Sequence, residues 1–210
     1  VFRQALIDVF GTDGAAATYP FSGRTDSRIV LDLISGYLPE EEVLARLPLM
    51  RERYLAELER VLERGGMRLL PGLPELLEDL AARPDVTLGL LTGNWEAGAR
   101  TKLSRFDLNR FFPFGAFGSD ATDRDELPPV ALERAACHTG RTFRPEEALV
   151  IGDSVHDVSC AHAHGIPVLA VSTGRTSAEE LRAAGAEWVV GDLTEWAYAA
   201  FALPPEPSTG

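Results

Sequence analysis

The stretch Glu147 to Gly174, EALVIGDSVHDVSCAHAHGIPVLAVSTG, decides the fold class. Its ends, EALVIGDS and PVLAVSTG, are apolar runs of strand length without polar alternation, and HDVSCAHAHG between them has helical composition. An uninterrupted apolar run is what a strand covered on both faces requires, and strand, helix, strand in that order is the repeat of a parallel sheet.

The rhythm continues outward in both directions. Upstream lie a helix (LPELLEDLAARP), a buried strand running into a loop (VTLGLLTGN), a helix (WEAGARTKLSRF), a short strand (GAFGSD) and a helix (PPVALERAACHTG). Downstream come a helix (SAEELRAAG), a strand (EWVVG), a last helix (LTEWAYAAF) and a Pro-rich tail (LPPEPSTG) expected to fray. The expected fold is therefore α/β, with a doubly wound, mostly parallel, Rossmann-like sheet.

The front of the chain differs. From Asp26 to Gly66 it reads as three helices without a strand, DSRIVLDLI, PEEEVLARL and LMRERYLAELERVLERGG, each with apolar residues three and four apart. The third carries Met50, Tyr54, Leu55, Leu58, Val61 and Leu62 on one face and stops at Gly65-Gly66. In VFRQALIDVFG, Phe2, Ala5, Leu6, Val9 and Phe10 form a helical stripe, Arg3, Gln4 and Asp8 lie opposite, and Gly11 stands where a C-terminal cap belongs.

Composition narrows the function classes. Against 20 Lys and Arg stand 32 Asp and Glu, a formal net charge of -12, with the acids spread along helices. Nonspecific binding to nucleic acid or an anionic membrane needs the opposite surface, so neither is an expected partner. No apolar run reaches the roughly 20 residues that span a bilayer, and no leader pattern opens the chain, so a cytoplasmic protein is expected. Cys137 and Cys160, the two cysteines, fall in helices and read as structural thiols. His156, His162 and His164 are spaced six and two apart, off any single helix face, which argues against zinc. Trp95 reads as packing.

Ligands of such folds bind beyond the C-terminal strand ends. At LLTGN, the Thr92 hydroxyl and the N–H groups of Gly93 and Asn94 are suited to a phosphate, although a helix cap at Thr92 or Asn94 accounts for the same residues. At VIGDSVHD, Asp153 and Asp157 can face one point and suit Mg²⁺, a cation that prefers oxygen donors. The alternative is that Asp153 caps the next helix and Asp157 is a first-turn acid. In SDATDRDELPP, Arg124 is the candidate cation for the remaining phosphoryl charge, unless it pairs with Asp123, Asp125 or Glu126.

These motifs resemble the haloacid dehalogenase superfamily, in its phosphoglycolate-phosphatase-like branch, over nearly the whole chain. LLTGN is similar to its second motif, with Thr92 as the motif threonine, and GDSVHD to its fourth, with Asp153 and Asp157 as the acids. The resemblance implies a catalytic set of Thr92, Arg124 and Asp153, phosphate contacts from Thr92, Gly93, Asn94 and Arg124, and Mg²⁺ on Asp153 and Asp157. It makes the helical stretch an inserted all-helical cap beginning at FSGRTDSRIV, where Gly23, Arg24 and Thr25 approach the substrate or else serve as hinge and N-cap around Asp26. The implied order is a core helix at 1–17, the cap at 18–70, the Rossmann-like core at 71–202 and a tail at 203–210. The implied activity is Mg²⁺-dependent hydrolysis of a small phosphorylated metabolite, such as phosphoglycolate, through an aspartyl-phosphate.

Two departures qualify it. Glu126 stands where the third motif has its lysine, which leaves Arg124, two residues earlier, as substitute. The first motif, Asp-x-Asp-Gly-Thr, is missing from the sequence. DVFGT at Asp8 to Thr12 resembles its dehalogenase version, and an L-2-haloacid dehalogenase using Asp8 is one alternative. The helical stripe argues against it and makes Asp8 a surface acid. Val1 is no translation start, so the nucleophile is expected upstream of it. A noncatalytic binder of a phosphate ligand is the other alternative.

Overall fold

The computed structural model describes residues 1–195; the expected helix LTEWAYAAF falls largely, and the tail wholly, outside them. Helix α1 (Phe2–Phe10) forms as its stripe dictates, with Ala5 and Leu6 buried and Gly11 in the left-handed conformation donating its N–H to the Ile7 carbonyl. Asp8 is exposed on this helix and accepts from Gln4 Nε2 at 2.8 Å. It does not end a strand.

Helix α2 (Asp26–Ile34) is capped by Thr25, whose hydroxyl accepts from the Arg28 N–H. The next two expected helices are one, α3 (Glu40–Glu63), with Pro48 inside it. Val43, Leu47, Met50, Tyr54, Leu58 and Leu62 are buried at steps of three and four across the proline, so one continuous stripe outweighs the hydrogen bond that Pro48 cannot donate. Val61, expected on that face, is exposed.

Then follow α4 (Leu73–Ala81), β1 (Gly89–Thr92), α5 (Glu96–Ser104), a 3₁₀ turn at Leu108–Phe111 and β2 (Phe114–Phe117). A 3₁₀ turn at Arg124–Glu126 leads into α6 (Leu127–Thr139), followed by β3 (Val150–Gly152), α7 (Val155–His162), β4 (Val168–Val171), α8 (Ala178–Ala183) and β5 (Trp188–Val190). A last 3₁₀ turn spans Leu193–Glu195. All strand pairs among the described residues are parallel: β1 with β2, Thr92 opposite Phe117, and β3 with β4 with β5, Gly152 opposite Ala170.

The chain divides into two compact units. The first comprises Val1–Arg68 and Gly89–Ala131; the second comprises Leu69–Leu88 and the chain from Leu132 onward. In the first, α1, α2 and α3 enclose Leu6, Val30, Ile34, Val43 and Met50, and Trp95 joins this core. In the second, the fully buried Val168 and Ala170 of β4 pack with Val158 and Ala161 of α7 and Leu181 of α8. Each valine, leucine, isoleucine or methionine among these contributes about 1.5–3 kcal/mol by leaving water. No helix among the described residues is long and apolar enough to cross a membrane. Cys137 is exposed and Cys160, on α7, is buried; both are free thiols.

Candidate active site

In the first unit, β1 delivers Thr92 to a turn, Thr92-Gly93-Asn94-Trp95, before α5 begins at Glu96. The turn is narrow because three backbone segments meet with no space between them. A Cβ on Gly93 would lie 2.2 Å from the Arg24 carbonyl oxygen, and one on Gly118 would lie 2.0 Å from the Gly93 carbonyl oxygen. Hydrogen bonds stitch the same segments: Asp26 N–H to the Gly93 carbonyl at 2.7 Å and Gly118 N–H to the Asn94 carbonyl at 2.9 Å. The Asn94 N–H donates to Thr92 Oγ1 at 3.2 Å, so the threonine hydroxyl is set within the turn.

Asp26, only 4% exposed, reaches under the turn. Its Oδ2 accepts the Trp95 N–H at 2.8 Å, capping α5 from another helix, and its Oδ1 faces Asn94 Nδ2 at 3.4 Å. Lys102 Nζ donates to Asn94 Oδ1 at 2.7 Å. Burial raises the Asp26 pKa, against the opposing pull of the Trp95 N–H and the Lys102 charge. Burial likewise lowers that of Lys102, which the Asp26 charge opposes. The Trp95 indole is buried as expected, donating to Ser27 Oγ at 2.9 Å and stacking on Phe2 at 5.9 Å between centroids.

A cavity of about 400 Å³ opens beside the turn. Thr92, Gly93, Asn94, Lys102, Arg24 and Arg124 form its polar side, with Asp26, and Phe2, Phe21, Ile29, Tyr54 and Leu58 its apolar side. Six predicted residues, Gly23, Arg24, Thr92, Gly93, Asn94 and Arg124, thus line one cavity. Arg24 lies over the Tyr19 ring at 5.5 Å, its Nη1 3.4 Å from Asp32 Oδ2, and its Nε is buried without a hydrogen-bond partner. Tyr19 donates to the Asp32 carboxylate, and burial together with that contact pushes its pKa up to about 12. Thr25 is not among the cavity residues. It is 1% exposed, and its hydroxyl donates to the Thr122 carbonyl, which is cap and loop anchoring. Glu126, at the position of the expected lysine, is exposed.

In the sequence Asp26 read only as the centre of a hinge and N-cap, and Lys102 was not singled out. An acid in the first turn of a helix and a lysine in the last turn of another both read as ordinary complements to the helix dipole. The burial of Asp26 and the partial burial of Lys102 were the missing signal.

In the second unit, β3 ends at Gly152 and the next helix is capped by Ser154. The cap is reciprocal: the Asp157 N–H donates to Ser154 Oγ, and Asp157 Oδ2 accepts from Ser154 N–H, Ser154 Oγ and Asp153 N–H at 3.0, 2.7 and 3.2 Å. Ser154, rather than Asp153, is therefore the capping residue. A Cβ on Gly152 would lie 2.4 Å from Asp157 Cγ, so the glycine admits this carboxylate over the strand end. The Asp153 carboxylate is exposed, close against Gly174, where a Cβ would lie 2.3 Å from Oδ2. Two carboxylates beyond one strand end, that of Asp153 exposed and that of Asp157 oriented by the cap, are oxygen donors of the kind a hydrated Mg²⁺ accepts. Among the described residues no group of three or more His, Cys, Asp or Glu side chains is placed to hold a metal. His162 on α7 faces the Glu187 carboxylate at 3.2 Å.

Residues 16–171 match the family of haloacid dehalogenase-like hydrolases. The chain is 29% identical over 144 residues to a phosphoglycolate phosphatase of Salmonella paratyphi A, a match covering 69% of this chain and 54% of that protein. It is 33% identical over 134 residues to one of Rhodospirillum rubrum, covering 62% and 54%. The chain thus spans about half the length of the curated relatives it matches. A solved structure, a predicted phosphatase from Clostridium acetobutylicum, superposes with a TM-score of 0.70 at 20% identity, covering 96% of this chain and 89% of that one. That likeness is one of fold.

Proposed function

The chain belongs to the haloacid dehalogenase-like hydrolases, and from that premise we propose that it serves as a phosphatase of a small phosphorylated metabolite. One observation carries the reading: a turn built from Thr92, Gly93 and Asn94 forms the polar side of a cavity that also presents Arg24, Lys102 and Arg124. Three cations and a hydroxyl around one turn match a dianionic phosphoryl group better than a neutral ligand. Phosphoglycolate is the first substrate to test, because the relatives above carry it in their names.

In this reading the Thr92 hydroxyl and the Gly93 N–H hold phosphoryl oxygens and Arg124 balances their charge, while the Asn94 and Trp95 N–H groups serve Thr92 Oγ1 and Asp26 within the turn. Arg24, at the start of the helical segment 18–70 that we assign as cap, reads the leaving group. Asp153 and Asp157 would hold Mg²⁺, which when bound supplies charge neutralisation to a phosphoryl group. The attacking carboxylate of an aspartyl-phosphate route is not Asp8, which sits exposed on α1 with Gln4 as its partner. A second reading, a binder of a phosphate ligand without turnover, is favoured by one fact. Among the described residues Asp26 is the only carboxylate lining the cavity, and the Trp95 amide and Asn94 occupy it.

The test is phosphate release from phosphoglycolate and from p-nitrophenyl phosphate, with Mg²⁺ and with chelator, beside calorimetric titration with inorganic phosphate. The phosphatase reading expects Mg²⁺-dependent release that falls about a hundredfold in Thr92→Ala, the loss of one oxyanion contact. Phosphate binding without release selects the binder. Neither binding nor release rejects both.

A further inference from the structure

We propose that Asp26 and Lys102 are positioning residues for the Thr92-Gly93-Asn94 turn, acting from opposite sides through the Asn94 side chain. The inference rests on reading that turn as a phosphate site.

A carboxamide has a donor end and an acceptor end, and its neighbours decide which way it points. Lys102 Nζ only donates, and at 2.7 Å it requires the oxygen of Asn94; the Asp26 carboxylate only accepts, and at 3.4 Å it faces the Asn94 nitrogen. Rotating the amide by half a turn would set its NH₂ against an ammonium and its oxygen against a carboxylate. The two charges therefore select one orientation. Asp26 is buried and Lys102 half-buried, where like contacts of this kind cost more than in water.

Asp26 holds the backbone as well. Its N–H occupies the Gly93 carbonyl at 2.7 Å and its Oδ2 takes the Trp95 N–H at 2.8 Å, one contact on each side of Asn94. With Gly118 N–H on the Asn94 carbonyl, both carbonyls that could repel an anion are engaged by protein donors. A turn held this way presents its remaining donors without reorganising when an anion arrives, which is what preorganised electrostatic binding requires. Burial draws Asp26 and Lys102 toward their neutral forms while each favours the charged form of the other, consistent with a pair that acts together.

The experiment uses the full chain labelled with ¹⁵N. Exchange of the Trp95 amide and of the Asn94 side-chain NH₂ reads the clamp, and the shift of the Gly93 amide on titration with inorganic phosphate reads the site. Lys102→Met is expected to free the Asn94 NH₂ and to weaken phosphate binding about tenfold or more, the value of a hydrogen bond to a charged group, whereas Lys102→Arg stays within about threefold of the parent. Asp26→Asn, which keeps the shape if the methionine variant fails to fold, is expected to weaken binding by a similar factor. The inference is overturned by either of two results: Lys102→Met leaving the Asn94 NH₂ and phosphate binding unchanged, or Asp26→Asn binding phosphate as well as or better than the parent. Absence of any phosphate response in the parent, with both exchange signals protected and released in the variants as stated, would remove the phosphate reading and leave the clamp standing.

Discussion

Gly93 and Gly118 show how much of the site is a matter of single atoms. Each sits where a methyl group would enter the backbone of a neighbouring segment, at 2.2 and 2.0 Å, and neither neighbour is a side chain that can swing aside. Gly118→Ala and Gly93→Ala should each cost about 3 kcal/mol or more, the range of severe overpacking. Gly36→Ala, with nothing within 4 Å, should change stability by no more than about 0.5 kcal/mol. Urea denaturation of the three variants measures the contrast, and equal losses would mean that the segments part easily. At this scale the sequence was legible only where the chemistry is local. Thr92, Gly93 and Asn94 are contiguous and announce a turn by composition, and Asp153 and Asp157 announce a strand end. Asp26 and Lys102 are brought to Asn94 only by the folded chain, and nothing in FSGRTD or TKLSRF points to the other.

Among the elements, α3 is the instructive one. Its apolar spacing was readable, but Pro48 made it read as two helices, because a proline ordinarily ends the segment before it. The buried stripe from Val43 to Leu62 passes through the proline without a break in phase, and tertiary packing outweighs the local preference. Pro48 is exposed, so only its backbone effect opposes the helix. Pro48→Ala restores an N–H donor and removes the ring clash, and it should stabilise the protein by about 1–3 kcal/mol. Thermal unfolding would report this as a rise in midpoint. A fall would mean that the proline fixes a bend on which the α1 and α2 packing depends. The strands were read correctly in order, but the expected burial holds only for β4, whereas β1 is partly exposed and β3 leaves Ile151 exposed. The lengths of β3 and β4, three and four residues, came out shorter than the apolar runs themselves, since pairing ends where the neighbouring strand does.

For the whole molecule the governing quantity is charge. A net of -12 on 210 residues is self-repelling, and much of it is exposed along helix surfaces such as the Glu40-Glu41-Glu42 start of α3. Screening should relieve that repulsion, so the unfolding midpoint at pH 7 should rise between about 10 and 150 mM NaCl, as the Debye length shrinks from roughly 30 to 8 Å. A midpoint that falls over this range would show that the ion pairs, Arg28 with Asp32 and Arg141 with Glu147 among them, contribute more than the net charge subtracts. The acidic balance and the parallel α/β rhythm could be read from the sequence alone, because both are sums over many residues. The division into two compact units, each drawing on separated stretches, could not, because it depends on which distant segments pack together.

The two thiols, one exposed and one fully buried, make the protein its own stopwatch. A thiol reagent meets Cys137 at once and can reach Cys160 only when α7 opens, so the lag between the two modifications in a single molecule times the breathing of the helix that carries Asp157, with the first reaction as the internal standard.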